Sequence, residues 1–251
     1  MRSFAALVTG AMIGITSIVR AAPPNGLPVA APPSTWQSLF NGRDLEGWDG
    51  DKRLWRVRGG VIRGETTSDL RTDGTTFLIR EGLVLEDFEL KVSFRCNPEG
   101  NSGIQYRSRH VTDPAEKPRN AWVVRGYQHE VLNQLKLPDV AGLVFDEGGG
   151  RKRVCLVGER AAWVDGAKQV GGKLIDAAGF EKLFRLDDWN EARIVAEGRR
   201  IRHFMNGTLI ADFTDSEDRV MRKGVLALQL HAGPPMWVEF KDIAVRSPPA
   251  D

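Results

Sequence analysis

The chain has 251 residues, with 35 basic and 33 acidic side chains and a formal net charge of +2. That length can bury a large core, and a charge this close to neutral argues against nucleic acid or an anionic membrane as the partner. No CxxC or HExxH spacing occurs and the four histidines are dispersed, so the familiar thiol-redox and zinc-protease signatures are missing.

In chain order, residues 1–21 come first. Arg2 supplies a positive start, residues 4–19 are apolar, and Val19-Arg20-Ala21 offers a small-x-small cleavage site. These are the parts of a secretory signal peptide, and the apolar run of about 15 residues is short for a membrane span. The expectation is an exported chain, periplasmic or extracellular, with no transmembrane anchor after processing. Removal of this segment takes away two arginines and no acids, leaving 33 residues of each sign. Residues 22–35, "APPNGLPVAAPPST", are rich in Pro and Ala without periodicity and read as a disordered leader.

Strand signals dominate after Trp36. Residues 54–65 predict a hairpin turning at Gly59-Gly60. Residues 88–96 alternate, with Phe88, Leu90, Val92, Phe94 and Cys96 on one face. Residues 102–109 and 126–133 alternate as well. Residues 176–184 hint at one short helix. Residues 193–213 predict three strands turning at Glu197-Gly198 and Asn206-Gly207. In residues 224–245, Leu226, Leu228 and Leu230 fall on one face, and Ala227, Gln229 and His231 on the other. Many short strands with frequent turns, no repeat and no change of composition predict one all-β domain over residues 36–247, a sandwich or jelly roll. Cys96 and Cys155 sit in strand-like runs, and an exported chain could pair them or leave them free.

The polar faces of three strands suggest chemistry. Gln105 with Arg107, Gln128 with Glu130, and Gln229 with His231 each share a face. Amides, a guanidinium, a carboxylate and an imidazole suit hydrogen bonding to many hydroxyls, as a sugar site requires. Half of any exposed strand face is polar anyway, so alternation alone leaves these residues as ordinary solvated surface. His129 and His203 read first as satisfied, half-buried histidines, and His110 as a loop residue. Of seven tryptophans, Trp122 is the candidate for stacking on a sugar, whereas Trp55 and Trp189 read as core.

Five segments, "LFNGRDLEGWDG", "GNSGIQYRSR", "GYQHEV", "DWNEARIVAEGRRIRHFMNGTLIADFTD" and "GVLALQLHAGPPMWVEFKDIAV", together resemble the DUF1080 or 3-keto-disaccharide hydrolase domain family. The resemblance runs from about Trp36 to Arg246. It implies a concanavalin A-like jelly roll and an exported protein that acts on 3-keto-glucosides or 3-keto-disaccharides, as 1,2-lyase and 2-hydroxyglucal hydratase. Other branches of the family carry Glu-x-Gln where this chain reads Gln128-His129-Glu130, so the carboxylate is displaced by two residues on the same face.

Such chemistry needs a base near C2, an electrophile at the C3 oxygen and a proton donor for the leaving group. The expected base is Glu130, with His231 as second acid/base, and Gln105, Arg107, Gln128 and Gln229 orienting hydroxyls. A single divalent metal could polarise the ketone, held by Glu130, His231 and His203, although no spacing motif demands it. No organic cofactor is implied. Two other readings stand beside the lyase: a non-catalytic carbohydrate-binding module, and a two-carboxylate glycoside hydrolase. The second lacks an evident partner for Glu130 on the same face, although Asp146, Glu147, Asp187 and Asp188, which look loop-borne, could still supply one.

Overall fold

The structure, a computed structural model, describes residues 33–218 and 220–248. The expected signal peptide and residues 22–32 of the expected leader lie outside the described residues. Alternation of apolar and polar residues builds nearly everything else. The chain runs through β1 (Gln37–Ser38), β2 (Trp48–Asp49), β3 (Trp55–Arg58), β4 (Val61–Glu65), β5 (Thr76–Arg80), β6 (Phe88–Cys96), β7 (Asn101–His110), β8 (Val124–Leu132), β9 (Val144–Glu147), β10 (Lys152–Cys155), β11 (Glu159–Val164) and β12 (Ala167–Lys173). It continues through α1 (Ala177–Leu183), β13 (Asn190–Glu197), β14 (Arg200–Met205), β15 (Thr208–Asp215), β16 (Val225–Leu230) and β17 (Trp237–Arg246).

Among the described residues, these strands form two sheets. One runs β12-β11-β15-β14-β13-β6-β17-β4-β3, with β1 beside β17; the other runs β10-β9-β8-β7-β16-β5-β2. The sheets pack face to face in a single all-β sandwich, as the strand pattern predicts. Phe88, Leu90, Val92 and Phe94 of the first sheet meet Ile104, Tyr106, Tyr127, Val131, Leu226, Leu228 and Leu230 of the second in one core cluster. Each such side chain contributes about 2 kcal/mol by leaving water. The hairpins turn where expected, with positive φ at Gly59, Gly60, Gly198, Asn206 and Gly207. Helix α1 starts at Asp176, whose Oδ1 accepts from Gly179 N at 2.8 Å, and it is held by Phe180, which stacks on Phe184.

One question that the sequence leaves open is answered in the core, and one expectation changes. Cys96 and Cys155 are both free and buried, so they do not pair. Trp55 is core, but Trp189 is only half-buried, on the outer face of the larger sheet beneath Arg95 and Lys241. A tryptophan can stay partly wet there because both cations are attracted to its negative π surface.

Candidate functional site

The inward residues of β7, β8 and β16 are apolar or aromatic, so the residues between them must point to the outer face of the smaller sheet. Pairing aligns them: Gln105 lies opposite Gln128, and Ala227 opposite Gln105. The result is a groove of about 440 Å³ whose walls include Gln128, Glu130, Glu147, Gln229 and His231, with Asn101, Gln134 and Arg153 at its margins.

Glu130 is 8 % exposed. Burial pushes its carboxyl up to about 7, opposed by the Gln128 amide, which donates to Oε2 at 2.7 Å. Gln105, fully buried, in turn donates to Gln128 Oε1 at 2.6 Å. Gln229 Nε2 reaches Glu147 Oε2 at 3.3 Å, while its own Oε1 is buried without a partner among the described residues. His231 follows β16 directly, and its Nδ1 lies 2.6 Å from Ala232 O. That carbonyl can only accept, so Nδ1 carries the proton of this contact.

Glu147 is a groove residue that the sequence offered only as a loop-borne acid. It ends β9, opposite Gly126, and is not loop-borne. Burial raises its pKa, with His231 and Gln229 acting in the other direction. Asp146, also on β9, points the other way and pairs with Arg151.

Four expected site residues lie elsewhere, Gln105 among them, since it is fully buried against Gln128 and is not one of the groove walls. Arg107 sits in a β-bulge at φ 46, where pairing with β8 shifts between Tyr106 and Arg109. The bulge breaks the period of two, and the guanidinium turns away to Glu86 O at 2.7 Å, Gly198 O at 2.9 Å and Asp87 Oδ1 at 2.9 Å. It is 1 % exposed and fastens the two sheets rather than facing the groove. His203 projects from β14 into the core, between the Tyr106 hydroxyl at 2.7 Å and Gly142 O at 2.9 Å. Burial pushes its pKa down to about 4. Trp122 packs on a small apolar cluster of Phe77, Ile79, Val124 and Ala227 and is not among the groove walls.

The position of His203 also bears on the expected metal ligands. Glu130 and His231 face the groove, but His203 is behind the sheet, so the expected three donors do not converge. Among the described residues no group of three or more His, Cys, Asp or Glu side chains is placed to hold a metal ion.

Residues 35–246 match the model of the 3-keto-alpha-glucoside-1,2-lyase-like domain. The chain belongs to this family. No curated protein matches this member. Among solved structures, it is similar to a candidate glycosyl hydrolase from Parabacteroides distasonis, with 20% identity over 85% of this chain and 94% of the other, at a TM-score of 0.55. A protein of unknown function with a galectin-like fold from Bacillus subtilis aligns at 12% identity, over 88% of this family member and 97% of the other, TM-score 0.55. A non-specific endo-β-1,3(4)-glucanase aligns at 12% identity over 88% and 95%, TM-score 0.50. These likenesses establish that the lyase-like domain shares the jelly-roll fold of glucanases. The family match makes a carbohydrate-related role the coarse functional assignment.

Proposed function

We propose that this family member is an exported enzyme that cleaves 3-keto-glycosides by elimination, followed by hydration. The observation that supports this reading most is Glu130, a buried carboxylate with one oxygen held by Gln128 and a proton affinity raised to about 7. That suits a base working near neutrality. A ketone at C3 acidifies the C2 proton. Glu130 removes it, the electron pair passes into the enolate, and the enolate expels the C1 oxygen to leave a 2-hydroxy enone. Water then adds at C1 and the proton returns to C2, for net hydrolysis. Glu147, with its raised pKa, protonates the departing aglycone oxygen. Gln229 donates through Nε2 to Glu147 Oε2 and so orients that carboxylate in the groove.

A second reading is favoured by Glu147. Two carboxylates in one groove are also the equipment of a glycosidase that needs no 3-ketone. One assay separates the two. The mature protein and its Glu130→Gln variant are incubated with a 3-keto-glucoside and with the unoxidised glucoside, following aglycone release and the enone. The lyase reading expects enone and release from the ketone alone, both lost in the variant. Release from the unoxidised glucoside without enone would overturn it in favour of the glycosidase. Binding without release from either anomer of the ketone would leave a sugar-binding module.

A further inference from the structure

Three hydrogen bonds run end to end across the groove floor. Ser108 Oγ donates to Gln105 Oε1 at 2.8 Å, Gln105 Nε2 to Gln128 Oε1 at 2.6 Å, and Gln128 Nε2 to Glu130 Oε2 at 2.7 Å. The order of donors and acceptors is not arbitrary. An ionised carboxylate only accepts, so Gln128 must turn its nitrogen toward Glu130. Its oxygen then needs a donor, which turns the nitrogen of Gln105 toward it, and the Ser108 hydroxyl completes the series. The floor is shaped for this arrangement. A methyl group at Gly103, which pairs with Glu130, would overlap the Gln128 amide, and one at Gly126 would crowd Ser108 Oγ. Gln105 and Ser108 are 0 % and 1 % exposed, so neither reaches a sugar.

We propose that Ser108, Gln105 and Gln128 form a directional hydrogen-bond chain that anchors Glu130 by Oε2 and leaves Oε1 as the oxygen that exchanges a proton with the substrate. The two glutamines are then positioning residues for Glu130 rather than sugar ligands. A proton taken up on Oε1 leaves Oε2 accepting from Gln128 as before, so the carboxyl need not rotate between the two halves of the reaction. This role rests on the reading of Glu130 as the acid–base group. The other charged or titratable groups around the carboxyl are Glu147 on β9, Lys152 and Arg153 on β10, Asp139 on the preceding loop, and His231 after β16.

The test follows the Glu130 carboxyl carbon by NMR titration in the ligand-free protein, beside the pH profile of kcat/KM. Gln128 donates to the charged form, so Gln128→Leu should raise the midpoint by about one pH unit. Gln105→Leu, one link further away, should raise it by roughly half as much. In the wild-type protein, the side-chain amide resonances of Gln128 and Gln105 should move with the same midpoint as Glu130, which requires no variant to fold. An unchanged midpoint in both variants with a raised KM would make the glutamines sugar ligands and overturn the chain. A Gln105 amide that stays silent through the Glu130 titration would overturn it equally. Absence of turnover in the wild type is a separate outcome that sinks the proposed reaction and leaves the titration result standing.

Discussion

Replacing His129 by leucine probes how the sheet that carries the groove is backed. The ring lies between the sheets, 0 % exposed, with its centroid 4.7 Å from His203 and 5.9 Å from Phe94. Neither nitrogen has a hydrogen-bond partner among the described residues. Burial, with His203 beside it, holds the pKa well below the ordinary value of 6.5. The unfolded chain binds a proton below pH 6.5 that the folded ring refuses. Stability from this site is therefore fully present above 6.5 and falls with decreasing pH, at about 1.4 kcal/mol per pH unit. Leucine has nearly the same volume and nothing to titrate. At pH 7.5 it should also remove the cost of two unpartnered nitrogens, about 1–3 kcal/mol each, less about 1 kcal/mol for repacking. The expected result is a variant more stable by about 1–5 kcal/mol at pH 7.5, and by about 2 kcal/mol more again at pH 5. His203 is present in both proteins and drops out of the difference. Urea unfolding from pH 8 to pH 5 measures it. A difference that does not change with pH would mean the folded ring protonates as freely as the unfolded one. A leucine variant less stable at every pH would mean the ring has a partner. Either result refutes the reasoning.

Other outcomes follow from the same geometry. Glu130 has a folded pKa raised to about 7 from 4.5, so stability declines as pH rises through that window and stays lower above it. Glu130→Gln should be more stable by up to about 3 kcal/mol at pH 8 in urea unfolding, while losing turnover. The rate of C2 proton abstraction in the wild type should climb as pH rises through about 7, where Glu130 becomes ionised; a rate that falls over this range would exclude it as the base. Arg107→Leu leaves two backbone carbonyls without a donor and should lower stability by about 2–4 kcal/mol with KM unchanged; a raised KM in a stable variant would return it to the groove. Burial pushes both thiols up to about 12, so Cys96 and Cys155 should resist a disulfide reagent at pH 8 in the native protein and react after unfolding.

The parts of this fold that were legible are those governed by local period. The sequence shows which side chains of β6, β7, β8 and β16 face inward, and that places Gln128 and Glu130 together on the outside with His129 on the inside. Turns at Gly59-Gly60 and Asn206-Gly207 were legible because few residues adopt positive φ. Arg107 was not, because a bulge changes which way a side chain points without any mark in a two-residue alternation. Glu147 was hidden by its neighbours: the run Asp146-Glu147-Gly148-Gly149-Gly150 has loop composition, and only pairing with Gly126 places the carboxylate in the groove. Long-range register of that kind carries no local signal. Trp189 was misassigned for a related reason, since the cations that shelter it come from β6 and β17.

The Arg107 fastener has a mechanical consequence. It ties the strand bearing Gln105 to the Gly198 turn of the opposite sheet, and Tyr106 next to it is bonded to His203 across the core. A floor riveted through the sandwich in this way does not yield to what lies on it. Accommodation of ligands of different bulk falls instead to the rim, where Gln134 and Asp139 stand on one connection and His231 opens another. Transplanting those two connections between relatives should then change which ligands enter while leaving the carboxyl at the bottom of the groove undisturbed.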